Sequence, residues 1–175
     1  MPIHEAHYTL REYLSMFLNA YLSLRPLGLL RGEPFVMRHP EGRSFREPDL
    51  MFIARANLEN LTPTLLLGPA DLAIEITSPE SYERDTVTKY AEYAAMGVGE
   101  YWILDPHGEQ AFFYRLGPGG EYEAAPVVEG VYTTPLLPGL RLVLGVLWQQ
   151  PRPNIRQIVA MVDAMLGEGG DQIGN

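Results

Sequence analysis

No cysteine occurs among the 175 residues, which excludes disulfides, thiolate nucleophiles and Cys-type zinc sites. Long apolar runs are missing too: nothing approaches the ~20 residues that a membrane span requires. The first residues show no signal-peptide pattern, so a soluble, cytoplasmic protein is expected. Positive charge is scarce. Thirteen Lys and Arg face 22 Asp and Glu, for a formal net charge of -9, which argues against a chain held to nucleic acid by bulk charge. A small local site is compatible with that balance. Lysine is rarest of all: twelve of the thirteen strong cations are arginine, and Lys89 is the only lysine. A GC-rich genome produces such a bias without functional meaning. Arginine can replace lysine at most solvated positions, but not where a compact ammonium must approach a reacting atom. Lys89 is therefore either a leftover on a helix surface or a functional ammonium.

The length suits one domain with a real core, expected over residues 1–167, with a Gly-rich tail over 168–175 that should fray. Apolar residues at helical spacing predict a helix over 7–24, ended by Pro26 and Gly28. Strands are expected at Glu33–Arg38, Asp49–Ala54, Asp71–Thr77 and Glu100–Leu104, and His39-Pro40-Glu41-Gly42 reads as a turn. Residues 55–70 read as irregular, with a helical turn near Leu58–Leu61. A helix over Tyr82–Met96, ended by Gly97, should bury Tyr90, Ala91 and Ala94 and expose Asp85, Lys89 and Glu92. Ala111–Leu116 and Tyr122–Val128 predict a hairpin around Gly117–Gly120, followed by a short strand over Leu140–Leu144 and a helix over Ile155–Leu166. This order implies an α/β fold: one mixed β-sheet with helices packed on it.

Two acids stand out. Asp49 opens one predicted strand, and Glu75 lies inside another among Leu72, Ile74 and Ile76. If those strands are neighbours, both carboxylates project from one edge of the sheet. Paired carboxylates repel unless a cation neutralises them, and Mg²⁺ favours one or two carboxylates with waters and substrate phosphate. Asp71 shares the face of Glu75 by strand periodicity and is a possible third acid, although a strand-start Asp is often a turn residue. The ordinary reading of Glu75 is an edge residue facing water or paired with an arginine. Lys89 has Asp85 four residues before it and Glu92 three after, which fits surface ion pairs. Turned toward the strand ends, it could instead orient a water or stabilise charge on a phosphate. His4 and His7 have a metal-binding spacing on a helix, but near the terminus a solvated or capping role is expected.

Several segments together resemble a known family. They are Arg46-Glu47-Pro48-Asp49, Asp71 through Pro79 (DLAIEITSP), Arg84-Asp85, Lys89 with Tyr93, Gly97-Val98, and Glu100 through Asp105-Pro106 (EYWILDP). This pattern resembles the large bacterial family of putative restriction endonucleases with the PD-(D/E)XK nuclease fold, common in cyanobacteria and the Thermus–Deinococcus bacteria. The resemblance covers roughly residues 46–106 and, more weakly, back to His7. It implies a restriction-endonuclease-like mixed β-sheet flanked by helices. Asp49 matches the family's PD aspartate and Glu75 its second metal carboxylate. The usual lysine position, two after the glutamate, is Thr77 here, and the lysine has moved to the following helix, where Lys89 stands. Family members usually carry a further segment ahead of the first helix, so the chain reads as a shortened member or one with a misassigned start.

The resemblance thus implies a Mg²⁺-dependent endonuclease, with Mn²⁺ as a substitute, hydrolysing DNA phosphodiester bonds. Asp49, Glu75 and the Ile76 carbonyl would hold the metal, and Lys89 would position or deprotonate the attacking water. Asp71, Thr77 and Tyr93 are additional candidates. A homodimer is expected, since many nucleases that cut both strands are dimers. The alternative is a catalytically silent domain of the same fold that oligomerises or binds a partner, and RNA is a third possible substrate.

Overall fold

Ala6, Leu10, Leu14, Phe17, Leu18 and Tyr21 recur three and four residues apart, and all are buried. That stripe makes α1 (Ile3–Leu24) a helix with one face committed to a sheet. The computed structural model describes residues 3–39, 42 and 45–167. Pro40 and Glu41 of the expected turn, the His4 side chain and the tail over 168–175 lie outside the described residues. After α1 the chain forms β1 (Gly28–Gly32), β2 (Val36–Arg38), β3 (Phe45–Arg46), β4 (Leu50–Ala54), a 3₁₀ segment (Arg55–Asn60), β5 (Leu65–Leu67) and β6 (Leu72–Ile76). A π-helical segment (Arg84–Thr88) runs into α2 (Lys89–Met96). Then come β7 (Glu100–Asp105), β8 (Gln110–Leu116), β9 (Tyr122–Ala124), β10 (Val131–Thr133), β11 (Arg141–Val143), α3 (Leu144–Trp148) and α4 (Ile155–Gly167).

Among the described residues the strands form three sheets, where a single sheet is expected from the sequence. The main one is mixed and six-stranded, in the order β1-β4-β6-β7-β8-β9. Its β6 and β7 are parallel, joined through α2, and its other neighbours are antiparallel. A second sheet has the order β3-β2-β5, and β10 pairs with β11 in a third. Of the strand expected over Glu33–Arg38 only Val36–Arg38 forms, as β2, and β1, which the sequence reading does not expect, ends just before it at Gly32. Gly28 hides β1 from a sequence reading, because glycine there resembles a helix stop. Its real role is close approach: a Cβ would lie 2.1 Å from the Ile53 carbonyl oxygen. β5 lies in the stretch expected to be irregular, where Leu65–Leu67 are too few to show a period.

Every residue of β6 is buried, as the nearly continuous apolar run implies for a strand covered on both faces. Strand alternation splits the interior in two. Leu50, Phe52, Ile74 and Trp102 pack with α1 and α4 on one face. Met51, Ile53, Ala73 and Tyr101 pack with α2 and the small sheet on the other. Asp49 and Glu75 share the parity of that second face. Each fully buried large side chain contributes roughly 1.5–3 kcal/mol.

The face of α2 departs from expectation. Tyr93 and Met96 are its buried residues, Tyr90 and Ala94 are half-buried, and Ala91 is exposed. The inward side thus continues from Asp85 through Lys89 to Tyr93. Small alanines suggest close helix–sheet approach, but the polar partners waiting on β6 decide which side turns in. Gly97, at φ 90°, closes the helix in the left-handed conformation, its N–H donating to the Tyr93 and Ala94 carbonyls.

Candidate active site

β4 and β6 set the heart of the site. Leu50 pairs with Ile74 across the antiparallel ladder, so one step further along the register Asp49 stands opposite Glu75. Directly opposed residues project from the same face of a sheet. Both acids are buried, at 6% and 3% exposure, and both line a cleft of about 590 Å³ together with Ile76, Lys89, Asp85 and His7.

Each carboxylate is held. The Ile76 backbone N–H donates to Asp49 Oδ2 at 2.7 Å. His7 Nε2 lies 3.0 Å from Asp49 Oδ1. The Tyr93 hydroxyl donates to Glu75 Oε1 at 2.6 Å, and the Lys89 ammonium is 2.8 Å from that same oxygen. Lys89 also lies 3.1 Å from Asp85 Oδ1. Asp85 is 2% exposed and is turned inward by the π-helical segment. The expected surface pair of Lys89 with Glu92 is absent from the site, because Glu92 accepts from Arg46 Nε at 2.6 Å and contacts its Nη2 as well. That clamp ties β3 to α2 at the cleft wall.

The electrostatics follow from burial. Burial pushes the Glu75 carboxyl up to about 7, and the Asp49 charge adds to this against the opposing Lys89 ammonium. Burial pulls Lys89 down, but the Glu75 and Asp85 charges outweigh it and leave the ammonium held above its ordinary value. The His7 imidazole is raised by its hydrogen bond to Asp49, against burial. Burial and the Glu75 charge push the Tyr93 hydroxyl far up, so it stays protonated and donates.

Asp71, the possible third acid, stands at the other end of β6. Its Oδ2 accepts from the Ala54 N–H at 2.7 Å and its Oδ1 from Asn57 Nδ2 at 2.8 Å, so it fixes the 3₁₀ segment and has no place in the cleft. Strand periodicity gives it the face of Glu75, but four residues along a strand is roughly 13 Å. Thr77 is buried, and its hydroxyl serves Ser81 and the Ser78 carbonyl; it does not line the cleft. Two residues of the site escape the sequence reading. His7 is not a loose or capping residue: extending the buried stripe of α1 back from Leu10 by three positions reaches it. Asp85 reads as a surface partner because only the wide π turn carries it inside.

The donor set can be tested against a metal ion. Asp49 and Glu75 offer hard carboxylate oxygens, and Ile76 adds a backbone carbonyl at the same strand end. The Tyr93 hydroxyl and the Lys89 ammonium both fall on Glu75 Oε1, and Oε2 takes neither. Among the described residues no three His, Asp or Glu converge into a closed cluster. The residues thus fit a hard divalent cation that keeps several waters, as Mg²⁺ does, and not a closed protein cage.

No helix among the described residues is long and apolar enough to cross a membrane. Comparison with known proteins agrees with the architecture. A solved structure, a putative nuclease belonging to DUF820 from Anabaena variabilis ATCC 29413, aligns with 90% of this chain and 82% of its own at a TM-score of 0.64. The identity is 16%, so the likeness concerns the fold: a restriction-endonuclease-like mixed sheet flanked by helices. No curated protein matches the chain. The model of the Uma2 family, described as putative restriction endonuclease, matches residues 1–146. With more than half its length so matched, the chain belongs to the Uma2 family of putative restriction endonucleases.

Proposed function

We propose that residues 1–167 act as one domain that hydrolyses phosphodiester bonds in DNA with a divalent cation, Mg²⁺ or Mn²⁺ in its place. The observation that carries this reading is the convergence of Asp49, Glu75 and Lys89 in one cleft, from two strands and a helix. Asp49, Glu75 and the Ile76 carbonyl would hold the ion, which supplies charge neutralisation at the phosphate and a more acidic water. The chain's own groups do the rest. Lys89 presents a compact ammonium that orients the attacking water by donation and offsets charge growing on the phosphate. Tyr93 fixes the Glu75 carboxylate through its Oε1. His7 and the Ile76 N–H grip both oxygens of Asp49, leaving little freedom in its plane.

The work would take place in the cytoplasm and as a homodimer, an arrangement that gives one site for each strand of a duplex. Cleavage of plasmid, single-stranded DNA and RNA with Mg²⁺ or Mn²⁺ tests the reading. The expected result is metal-dependent DNA cleavage that disappears in Glu75→Gln. A folded wild-type protein that cuts none of these substrates would favour the silent, partner-binding domain, which the net charge of -9 also suits.

A further inference from the structure

Lys89 lies between two buried carboxylates. Its ammonium is 2.8 Å from Glu75 Oε1 and 3.1 Å from Asp85 Oδ1. The first of these acids belongs to the metal-holding pair; the second lines the same cleft and has no part in the reading above. Asp85 is 2% exposed, and its Oδ1 makes no hydrogen bond among the described residues. The other cation near it, Arg84 Nε, is 3.6 Å away on a side chain that is 63% exposed. A buried carboxylate oxygen without a full hydrogen bond is costly, so Asp85 Oδ1, already 3.1 Å from the ammonium, gains by drawing it closer.

The backbone holds that acceptor in place. The Asp85 N–H donates to the Ser81 carbonyl at 2.9 Å, and the Tyr101 hydroxyl donates to the Asp85 carbonyl at 2.9 Å. The π-helical segment Arg84–Thr88 hands its turn to α2 through the Lys89 N–H, which reaches back five residues to Arg84 O. Wide turns of this kind are infrequent and concentrate at functional sites. Here the turn keeps Asp85 and Lys89 on the same inward side.

We propose that Asp85 is a positioning residue for Lys89: a second seat to which the ammonium moves when a divalent cation takes Glu75. This rests on the metal-dependent reading above and adds what that reading lacks. In the metal-free protein the ammonium sits on Glu75 Oε1, beside the Oε2 that a cation would take. Two cations on one carboxylate repel, so an ion at Oε2 drives the ammonium away from Oε1. Without an acceptor nearby, the displaced ammonium would be stranded in a buried cleft, and metal binding would bear that cost. Asp85 accepts it a short distance away, still charged and still facing the reacting centre.

The experiment is a double-mutant cycle read by calorimetric binding of Mn²⁺ alone, without substrate. Asp85→Asn should weaken Mn²⁺ by about tenfold or more, the scale of other outer-sphere partners. Lys89→Met should tighten it, because no ammonium competes for Glu75. In the Lys89→Met background Asp85→Asn should change affinity by less than about twofold, since its effect runs through the lysine. An equal loss in both backgrounds would mean that Asp85 acts only as a nearby charge, and would overturn the proposal. Because Lys89 is the only lysine, lysine labelled at Cε with ¹³C gives a single side-chain signal. Mg²⁺ should move that signal in wild type and move it less in Asp85→Asn; equal movement in both would also overturn the proposal. Should Asp85→Asn fail to fold, Lys89→Met decides alone, with unchanged or weaker binding counting against it. Wild type that binds no Mn²⁺ at all removes the metal-dependent reading and this inference with it. Mn²⁺ binding without the coupling removes the inference only.

Discussion

The His7 imidazole and the Asp49 carboxylate meet at 3.0 Å, so the first helix grips an acid that opens the fourth strand. Asp49 Oδ2 is occupied by the Ile76 N–H, which belongs to the strand carrying Glu75. One carboxylate thus joins α1, β4 and β6, and its orientation is settled before any ligand arrives. Pre-orientation of this kind is what partners outside a metal's own ligand set provide.

Replacing His7 should separate orientation from folding. His7→Gln is expected to lower metal-dependent cleavage by about 10–100-fold, the scale for such partners, while the far-ultraviolet spectrum stays that of wild type. The stability effect should depend on pH. The folded imidazole is raised above 6.5, first by the Asp49 hydrogen bond, so its contribution is fully present below that pH. It is lost as pH rises through the folded value. Thermal melts of wild type and His7→Gln should differ more at pH 5.5 than at pH 9, and a gap that widens with pH would contradict the assignment.

Glu75 gives the metal-free protein a pH slope of the same sign, here as a penalty that grows with pH. Its folded carboxyl titrates near 7, raised first by burial, and an unfolded glutamate titrates near 4.5. Between those values the folded state holds more protons than the unfolded one, so stability falls as pH rises. Glu75→Gln removes that slope. The variant should gain on wild type as pH climbs from 5 to 8, by on the order of 1–3 kcal/mol, while losing cleavage. Denaturant melts at both pH values measure the gain, and a stability difference that does not shift in favour of the variant between them would refute it.

The parts of this protein that a sequence reveals are those whose chemistry is local. The apolar stripe of α1, the run Leu72–Ile76 and the stop at Gly97 all follow from periodicity and turn preference, and each is where it is expected. Asp49 and Glu75 are legible because acids amid strand residues are costly unless used. What escapes depends on partners far along the chain. Gly28 looks like a helix stop until the Ile53 carbonyl is seen beside it. Asp71 shares a face with Glu75 but sits at the wrong end of the strand. The inward turn of Asp85 depends on a π segment that has no sequence period of its own, and Ala91 faces solvent because Glu75 draws Lys89 and Tyr93 to the inside.

A second buried glutamate offers an internal control. Glu100, 3% exposed, lies on the α1 face of the sheet with Trp102. Its oxygens accept from Trp102 Nε1, the Tyr132 hydroxyl and Thr134 Oγ1 at 3.0, 2.9 and 2.5 Å, and Arg115 Nε is 3.3 Å away. All its neighbours donate, so the amide of Gln would place a donor among donors. Glu100→Gln should cost on the order of 3 kcal/mol, as breaking a buried charged network does, and lower Tm by roughly 6–12 °C. Mn²⁺ affinity at a temperature where the variant is folded should be that of wild type, because the cleft opens on the other face. A matching loss of metal binding would show that the two faces are coupled.

Lys89→Arg asks whether the lone lysine is there for its shape. The side chain is 14% exposed and its ammonium sits between Glu75 and Asp85. An ammonium is a point donor that can turn three hydrogens among two carboxylates and a water. A guanidinium is a planar fork that matches one carboxylate at a time and needs more room. It would lock onto Glu75 or Asp85 bidentately and hold its charge away from the water. The charge of the cleft and the fold are unchanged by the substitution, so loss of function can only reflect that geometry. We expect cleavage to fall by about 100-fold or more, within the range for removing a positioned proton-handling group, with Tm within a few degrees of wild type. The comparison is made under single-turnover conditions with Mg²⁺, so that slow product release cannot mask the chemical step. Elsewhere the chain carries arginine at twelve positions, and a lysine on a solvated helix face would accept the same change without consequence. Wild-type cleavage rates in Lys89→Arg would therefore reduce Lys89 to a charge that balances the buried acids and leave the two carboxylates to work without its shape.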